Sequence, residues 1–333
     1  MIKTLPERYP WHGPQWAQCL QRAHKATLPH ALMLSGAAGL GKLDFAHRLA
    51  CFLLCDTPSA ADACGHCTGC RLVCAGNHPD FLQIGPEGES QQIKIDQVRA
   101  LSHFVCLSRA SAHYKVVLIA NADKINRHAA NSLLKTLEEP PPFSVILLVS
   151  ARAASLPATL LSRCQRIEFK CPPHGVASEW LSRELPRDEV DTCLALARGA
   201  PLTALEWGRG DLLAARRIVF SDLQRLASAR ESAVQVAQRW RQYAPDLILS
   251  WLLSWLADIV KLQWKCAFDG LNNPDVDRGL QAIAQRLDLV TAFSLYDTLL
   301  SYRRLPVASI NPQLMLEDML IAWTNAFTSK TTQ

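Results

Sequence analysis

The stretch Gly36-Ala-Ala-Gly-Leu-Gly-Lys42 decides the fold of this chain. The short apolar run His30–Ser35 precedes it and is typical of a buried strand. The segment Leu43–Leu54 follows it and carries apolar residues at helical spacing. A glycine loop between a strand and a helix turns backbone N–H groups towards an anion, which predicts a phosphate-binding loop, or P-loop. The alternative is a tight strand-to-helix turn that holds no ligand. The candidate ligand-binding residues are Gly36, Gly39, Gly41 and Lys42.

The residue after the loop lysine does not fit a working nucleotide site. Active P-loops carry Ser or Thr there, because the hydroxyl binds the Mg²⁺ that bridges the β- and γ-phosphates. Here the residue is Leu43, whose side chain offers no lone pair to a metal. The sequence predicts the shape of a nucleotide-hydrolysing protein without one of its working groups. Whether Lys42 still holds a phosphate weakly or only closes the loop stays open at this point.

Beyond the loop, strand-like and helix-like segments alternate. Short apolar runs occur at Phe81–Ile84, Lys115–Ala120, Val145–Val149 and Gln165–Phe169, and helical patterns separate them. Apolar strands without polar alternation, joined through helices, are typical of a parallel sheet covered on both faces. We therefore predict an α/β P-loop domain, whose ligands would bind at the carboxyl ends of the strands.

The cysteines predict a metal site. The chain has 12 cysteines, and four of them are spaced as ligands: Cys55, and those of the run Cys64-Gly-His-Cys67-Thr-Gly-Cys70. Four thiolates that leave no open coordination position are typical of structural Zn²⁺, so we predict that Cys55, Cys64, Cys67 and Cys70 bind zinc. A redox-active C-x-x-C is the competing chemistry. The alternative ligands are His66, Cys51 and Cys74.

Composition limits the functional classes. The chain has 333 residues, 49% hydrophobic and 20% charged, with a formal net charge of +5. These values are ordinary for a soluble protein of two or three domains and do not indicate extensive independent DNA binding. The N-terminal residues lack the apolar core of a signal peptide. The most apolar stretch, Leu247–Ala257, has about half of the ~20 residues that span a bilayer. We predict a cytoplasmic protein that does not bind membranes.

Three motifs in a fixed order give the chain a specific resemblance. They are Asn131-Ser-Leu-Leu-Lys-Thr-Leu-Glu-Glu-Pro140, the later Leu161-Ser-Arg-Cys164, and the predicted zinc insert after the P-loop helix. Together they resemble bacterial clamp-loader subunits, which are AAA+ proteins that open the sliding clamp of the replicative DNA polymerase. The resemblance spans essentially the whole chain, and within the family it is to the delta-prime group of DNA polymerase III.

The resemblance implies three successive domains. We place a AAA+ domain at 1–170 with its zinc insert at 55–70, a helical lid at 171–210, and an all-α collar at 211–333. The run Cys171-Pro-Pro-His174 is a suitable hinge, because two prolines stiffen an extended connection. Tryptophans at helical spacing in the last domain are predicted to lie in its core. They are Trp240, Trp251, Trp255, Trp264 and Trp323.

The resemblance also identifies which functional groups are missing. In ATP-hydrolysing members the second central strand ends in Asp-Glu, which hold Mg²⁺ and activate water, whereas this chain has Ala120 and Asn121. The lid arginine of those members aligns with Leu202, while Ser150 keeps a small polar group at another nucleotide-sensing position. Together with Leu43, four expected groups are replaced. The resemblance therefore implies a subunit that does not hydrolyse ATP.

Arg163 matches the arginine of the family's Ser-Arg-Cys motif. In the family this arginine projects into the ATP site of the neighbouring subunit, where a guanidinium neutralises charge on the γ-phosphate. The resemblance therefore implies a trans arginine finger, and the alternative is an ordinary arginine paired with an acid. It also implies partners: the gamma or tau ATPase subunits and the delta subunit in a hetero-pentameric ring, and indirectly the sliding clamp and primed DNA.

We thus predict a subunit of the DNA-directed DNA polymerase III holoenzyme that has no catalysis of its own. One alternative is an ATP-hydrolysing motor of the same family, which must hold Mg²⁺ despite Leu43 and Ala120. The other is a stand-alone zinc protein that binds nucleic acid. It requires basic residues around the cysteines, yet Arg71 is the only fixed positive charge in Asp56–Cys74.

Overall fold

The chain divides into two compact units. The computed structural model describes residues 4–88, 91–110, 114–264, 271–303 and 311–328. The first unit comprises Met1–Trp180 and Ala200–Thr203, and the second comprises Leu181–Gly199 and Ala204–Gln333. Each unit has its own hydrophobic core.

The first unit is built on a five-stranded parallel sheet. Its strands are β1 (Ala31–Ser35), β2 (Phe81–Ile84), β3 (Lys115–Ile119), β4 (Ser144–Ser150) and β5 (Gln165–Glu168). Their order across the sheet is β2-β3-β4-β1-β5, and every neighbouring pair is parallel. Strand β1 lies between β4 and β5 and places Leu34 between Val149 and Ile167. The parallel sheet predicted from the sequence is confirmed.

Alternate residues of the central strands enter two separate cores. In β3, Val116 and Leu118 belong to one core, whereas Val117 and Ile119 belong to the other. Because both faces of the sheet are covered, these strands need no polar alternation. The first face packs against α1 (Gly13–His24), α2 (Lys42–Leu53) and α3 (Thr68–Cys74). The second face packs against α4 (Ile95–Cys106), α5 (Arg127–Glu138) and α6 (Ala158–Leu161).

Helix α5 shows how the local sequence sets the bounds of an element. Asn126 caps its N-terminus, since the Asn126 side chain accepts a hydrogen bond from the Ala129 N–H at 2.9 Å. Leu133 and Leu137 lie one turn apart and are buried against the sheet. The prolines that begin at Pro140 prevent the helix from continuing. The helix therefore ends at Glu138, where the packed face fixes its last turn.

The described part of the second unit is entirely helical. Trp240, Trp251, Trp255 and Trp323 are fully buried in its core, which confirms the prediction for four of the five tryptophans. Trp264 is 60% exposed, so its assignment to the core was wrong. The remaining α-helices of the chain begin with α7 (His174–Leu181), which belongs to the first unit except for its last residue, and α9 (Pro201–Arg209), whose first three residues also belong to that unit. The others are α8 (Arg187–Leu196), α10 (Leu212–Ala227), α11 (Ala233–Trp240), α12 (Pro245–Trp264), α13 (Asp277–Ala284), α14 (Leu289–Tyr302) and α15 (Pro312–Thr328).

Helix α12 has the length and apolar composition to cross a membrane, and no other described helix does. Of its most apolar window, 50% is buried inside the protein. Trp251 and Trp255 account for part of this burial. A central helix of a helical core has the same composition, because it is covered on most sides by its neighbours.

Candidate functional site

The glycine loop joins the carboxyl end of β1 to the first turn of α2. The backbone φ is +149° at Gly36, +74° at Gly39 and +75° at Gly41, values that side chains rarely allow. Helix α2 begins at Lys42, directly after the loop. Strand, loop and helix thus follow one another in the order that the sequence predicted. Leu43 lies in the first helical turn with 38% of its surface exposed, and it brings no oxygen to this position.

Backbone carbonyls of the loop are hydrogen-bonded by the protein itself. The Trp11 indole N–H donates to the Leu40 carbonyl at 3.1 Å, and His12 Nε2 donates to the same oxygen at 2.7 Å. The backbone N–H of Leu202 donates to the Gly39 carbonyl at 3.0 Å. Burial lowers the pKa of His12 to about 4, so its ring is neutral at physiological pH. Leu202, which the resemblance aligns with an arginine of the ATP-hydrolysing members, thus contacts the loop through its backbone.

Tyr9 packs directly against the glycine loop. A methyl group added at Gly41 would lie 2.4 Å from the Tyr9 ring. The ring stacks on Trp11 with centroids 5.0 Å apart, and the Tyr9 hydroxyl donates to Asp44 Oδ2 at 3.0 Å. Burial and the nearby Asp44 carboxylate raise the pKa of Tyr9, so it remains a neutral donor. An aromatic segment near the N-terminus therefore lies against the loop.

Lys42 is directed into the loop. Its ammonium group donates to the Ala37 carbonyl, and only 5% of the residue is exposed. Burial lowers the pKa of Lys42 to about 8, and the negative charge of Asp123 opposes this shift. In a nucleotide-binding P-loop, the lysine side chain contacts the β- and γ-phosphates. Here the ammonium instead satisfies a backbone acceptor of the same loop.

Ala120 and Asn121, which the resemblance aligns with the catalytic acids of ATPases, are not acids. Ala120 is buried, and Asn121 is exposed with a left-handed φ of +51°. The nearby carboxylate is that of Asp123, which accepts hydrogen bonds from the Ser150 hydroxyl and the Ala151 N–H, both at 3.1 Å. Asp123 thus bonds the end of β4 to the segment after β3.

Arg163 lies on the surface between α6 and β5. Its guanidinium forms an ion pair with Glu138 at 2.5 Å and donates to the Thr159 carbonyl at 2.8 Å. The side chain is 35% exposed. The Ser162 hydroxyl also donates to the Thr159 carbonyl, at 3.1 Å, which fixes the turn that carries the arginine. The arginine is therefore accessible, and it is also paired with an acid, as the alternative interpretation anticipated.

Four cysteine sulfurs converge after α2. Those of Cys55, Cys64, Cys67 and Cys70 all lie within 4.8 Å of one another. The Cys55–Cys67 sulfur distance is 3.7 Å and the Cys64–Cys70 distance is 4.0 Å. Four sulfurs bound to one tetrahedral zinc at ~2.3 Å would lie ~3.8 Å apart. The cluster therefore has the dimensions of a Cys₄ metal site.

Local backbone structure holds the cysteines in place. Cys67 caps helix α3, since its sulfur accepts a hydrogen bond from the Cys70 N–H at 3.3 Å. The Asp56 carboxylate accepts from the Gly69 N–H at 3.0 Å, which anchors the same helix start to the end of α2. N–H donors directed at sulfur stabilise the thiolate form that binds metals.

The thiols differ in their acidity. The backbone N–H of His66, together with the Thr57 hydroxyl, lowers the pKa of Cys64 to about 5. Burial instead raises the pKa of Cys55 and of Cys70. A bound divalent cation would offset this burial, because it favours the charged thiolate.

The alternative ligands lie outside the cluster. The His66 ring donates from Nδ1 to the Cys64 carbonyl at 2.8 Å and does not join the four sulfurs. The Cys51 and Cys74 sulfurs form a separate buried pair at 3.8 Å. Among the described residues, Cys55, Cys64, Cys67 and Cys70 are the one group arranged to hold a metal ion.

Comparison with known proteins identifies the family of this chain. Residues 12–173 match the family model described as DNA polymerase III, delta subunit, and residues 210–325 match the model of its C-terminal part. DNA polymerase III subunit delta′ of Pseudomonas aeruginosa is 36% identical over an alignment of 328 positions, which covers 96% of this chain and 98% of that protein. The chain belongs to the DNA polymerase III delta-prime family. The resemblance to the delta-prime group that the motifs indicated is thereby confirmed.

Other members and neighbours extend the comparison. DNA polymerase III subunit delta′ of Escherichia coli is 31% identical over 317 residues, 94% of each chain. DNA polymerase III subunit tau of Salmonella typhimurium is 38% identical over 141 residues, 42% of this chain and 22% of that protein. A solved gamma subunit-related protein from Thermotoga maritima covers 92% of this chain and 99% of its own, with a TM-score of 0.44 and 17% identity.

Several residues that contact the glycine loop or Arg163 were not identified from the sequence. Tyr9, Trp11 and His12 contact the glycine loop from a distant part of the chain, and Glu138 pairs with Arg163. The aromatic run Tyr9-Pro-Trp-His12 is the one signal that could have drawn attention to the first three. Glu138 lies within the Leu-Glu-Glu-Pro motif, which the sequence marks as a family feature without assigning it a contact.

Proposed function

We propose that this chain is a non-hydrolysing subunit of the DNA polymerase III clamp loader, which helps to load the sliding clamp on primed DNA. The observation that carries the proposal is the state of the glycine loop. The loop keeps its backbone shape, but Lys42 bonds to the Ala37 carbonyl and Leu43 replaces the metal-binding hydroxyl.

The chemistry of ATP hydrolysis needs groups that the site lacks. Mg²⁺ requires oxygen ligands, which Leu43 and Ala120 do not offer. Activation of water requires a group that accepts a proton, and the Asn121 amide does not do so. Asp123 already accepts two hydrogen bonds, one from the last residue of β4 and one from the residue after it. Nucleotide binding at Gly36, Gly39, Gly41 and Lys42 would therefore be weak and would not lead to turnover.

Arg163 is the residue of this chain that we propose contributes to ATP hydrolysis by the complex. Its guanidinium lies at the surface on a short, hydrogen-bonded turn, where a neighbouring subunit can approach it. A planar cation with several N–H donors is suited to the charge that develops on a γ-phosphate. We propose that Arg163 acts in trans on a gamma or tau ATPase, with the delta subunit completing a hetero-pentameric ring.

The cysteine cluster is proposed to hold structural Zn²⁺. Its four sulfurs have tetrahedral dimensions, and four thiolates leave no open position for a substrate or water. Bound zinc would cross-link the end of α2 to the start of α3. Metal analysis of the purified chain should find about one zinc per molecule, and Cys67→Ser should lower that value. A chain that is fully folded and metal-free after purification without chelators would contradict this assignment.

The test of the proposed function is ATP turnover by a reconstituted clamp loader. The complex is assembled with the wild-type chain or with Arg163→Ala, and the isolated chain is assayed alongside. We expect no turnover by the isolated chain and a large fall in the rate of the complex with Arg163→Ala, since arginine fingers contribute ~10³-fold or more to turnover. Gel filtration confirms that the variant still assembles.

Each outcome selects between the candidate functions. If the isolated chain hydrolyses ATP and Lys42→Ala abolishes the activity, the chain is an ATP-hydrolysing motor. If Arg163→Ala leaves the rate of an intact complex unchanged, the trans role of Arg163 is wrong. A stand-alone zinc protein would not assemble with clamp-loader subunits at all, and membership of the delta-prime family over both halves of the chain disfavours it.

We further propose that the AAA+, lid and collar domains occupy 1–170, 171–210 and 211–333, and that the protein works in the cytoplasm. The helical content after β5 supports the second and third domains. Limited proteolysis should cut first near 171 and near 210 if these positions are exposed linkers.

A further inference from the structure

The Arg163 guanidinium is held on two sides by its own chain. One terminal nitrogen lies 2.5 Å from Glu138 Oε1, and the other donates to the Thr159 carbonyl at 2.8 Å. A longer contact joins the second nitrogen to the Ser162 hydroxyl at 3.5 Å. A guanidinium has five N–H donors, so these contacts still leave donors for a further anion. The contacts restrict the orientation of the arginine without occupying it fully.

The two contacts come from elements that are themselves fixed. Glu138 is the last residue of α5, whose Leu137 is buried against the sheet. Thr159 belongs to α6, whose Leu160 is also completely buried. Because backbone packing sets the positions of both partners, they define one place on the surface for the head of a long, flexible side chain.

We propose that Glu138 is a positioning residue for Arg163: its carboxylate holds the guanidinium in the orientation that meets the neighbour's γ-phosphate. This inference rests on the proposed trans role of Arg163. A free arginine side chain must lose rotamer freedom when it meets an anion. An arginine that Glu138 already orients has lost most of that freedom before it meets the phosphate. Its interaction with the γ-phosphate of the neighbouring site therefore costs less conformational entropy.

The expected effect is modest. The pair is partly exposed, with 35% of the Arg163 side chain and 50% of the Glu138 side chain accessible. Exposed ion pairs make small contributions, so loss of the carboxylate should lower turnover by about 2- to 5-fold. Complete loss of the arginine should have a far larger effect.

The chain offers a matched control for the experiment. Glu139 follows Glu138 in the same motif and is also exposed, yet it makes no side-chain hydrogen bond or ion pair among the described residues. Reconstituted clamp loader is assembled with wild type, Glu138→Gln or Glu139→Gln. Each substitution removes one negative charge and keeps the size of the side chain. We expect Glu138→Gln to lower kcat for ATP about 2- to 5-fold with KM unchanged, and Glu139→Gln to have no effect.

A double substitution shows whether Glu138 acts through Arg163. In the Arg163→Ala background, Glu138→Gln should cause no further loss, because the group that it positions is absent. Glu138→Asp should restore part of the rate, since it keeps the carboxylate. An unchanged or faster rate with Glu138→Gln overturns the proposal, as does an equal loss with Glu139→Gln or in the Arg163→Ala background.

The failure of this inference is separable from that of the proposed function. If Arg163→Ala lowers turnover and Glu138→Gln does not, only the positioning role is wrong. If Arg163→Ala itself has no effect in an assembled complex, both are wrong. Assembly and thermal unfolding of each variant are measured in parallel, so that a folding defect is recognised as the cause of any loss.

Discussion

Gly69 offers a one-methyl test of how the cysteine cluster packs against the end of α2. It lies within the first turn of α3, between two of the four cysteines. A Cβ added at this position would lie 2.3 Å from the Leu54 carbonyl oxygen and 3.3 Å from Asp56 Oδ1. The Leu54 oxygen is a backbone atom next to Cys55, so it cannot move away without moving a ligand.

The expected change in the free energy of unfolding for Gly69→Ala is the balance of two opposing effects. Replacing glycine with alanine inside a helix stabilises it by up to ~1 kcal/mol. Relieving an overlap of about 1 Å with a backbone atom costs ~1–3 kcal/mol, because the chain must shift. We therefore expect Gly69→Ala to lower the free energy of unfolding by about 1–2 kcal/mol. Movement of Cys55 and Cys70 should also weaken metal binding.

The assay combines urea unfolding with zinc competition against a chromophoric chelator. Gly175→Ala is the control, because Gly175 lies in α7 and a Cβ there meets nothing within 4 Å. This control should be as stable as wild type or slightly more stable, with unchanged zinc affinity. If Gly69→Ala matches the control in both stability and zinc affinity, the packing of α3 on the Leu54 carbonyl is not as described and the reasoning fails.

Three further predictions concern buried groups. Burial lowers the pKa of Lys42 to about 8 from 10.5, so the unfolded chain binds more protons between these values. The free energy of unfolding should therefore rise with pH across this window, relative to Lys42→Met, and parallel pH profiles in urea unfolding would contradict this. Burial also lowers the pKa of His47 to about 4 from 6.5, so the free energy of unfolding should fall as pH falls through that range. His47→Phe should make the free energy of unfolding depend less steeply on pH there. An unchanged pH dependence would refute the burial of a neutral ring. Trp255→Ala should lower the free energy of unfolding, measured in urea, by ~3–5 kcal/mol, whereas Trp264→Ala, at an exposed position, should lower it by under ~0.5 kcal/mol. Similar losses for the two variants would show that the two environments are misassigned.

Features set by local spacing were predictable from the sequence. The strands around the glycine loop, the helix that ends at Glu138, and the cysteine cluster all follow from residues within one or two elements. Trp264 was assigned wrongly because helical spacing identifies the buried face of α12 without showing where the core ends. The last turn of a helix can extend beyond the residues that cover it.

Contacts between distant segments could not be predicted in this way. Asp123 and Ser150 are 27 residues apart, and their hydrogen bond depends on the neighbouring positions of β3 and β4 in the sheet. Tyr9 reaches Gly41 through the path of the N-terminal segment, which no periodicity encodes. Only the three-dimensional arrangement shows that Asp123 is engaged by β4 and that the glycine loop is contacted by aromatic side chains.

The glycine loop of this chain, which we propose does not hydrolyse ATP, has a packing explanation. A Cβ would lie 2.1 Å from the Phe169 carbonyl oxygen if placed at Gly36, and 2.0 Å from the Thr203 hydroxyl if placed at Gly39. Because these neighbours belong to the protein and not to a nucleotide, the glycines are required by the fold whether or not ATP binds. The metal-binding hydroxyl and the two strand-end carboxylates have no such packing role. The resemblance aligns them with Leu43, Ala120 and Asn121, and the parallel sheet forms with these residues in place. The glycines are therefore evidence of the fold, whereas the hydroxyl and the carboxylates are the evidence that bears on hydrolysis.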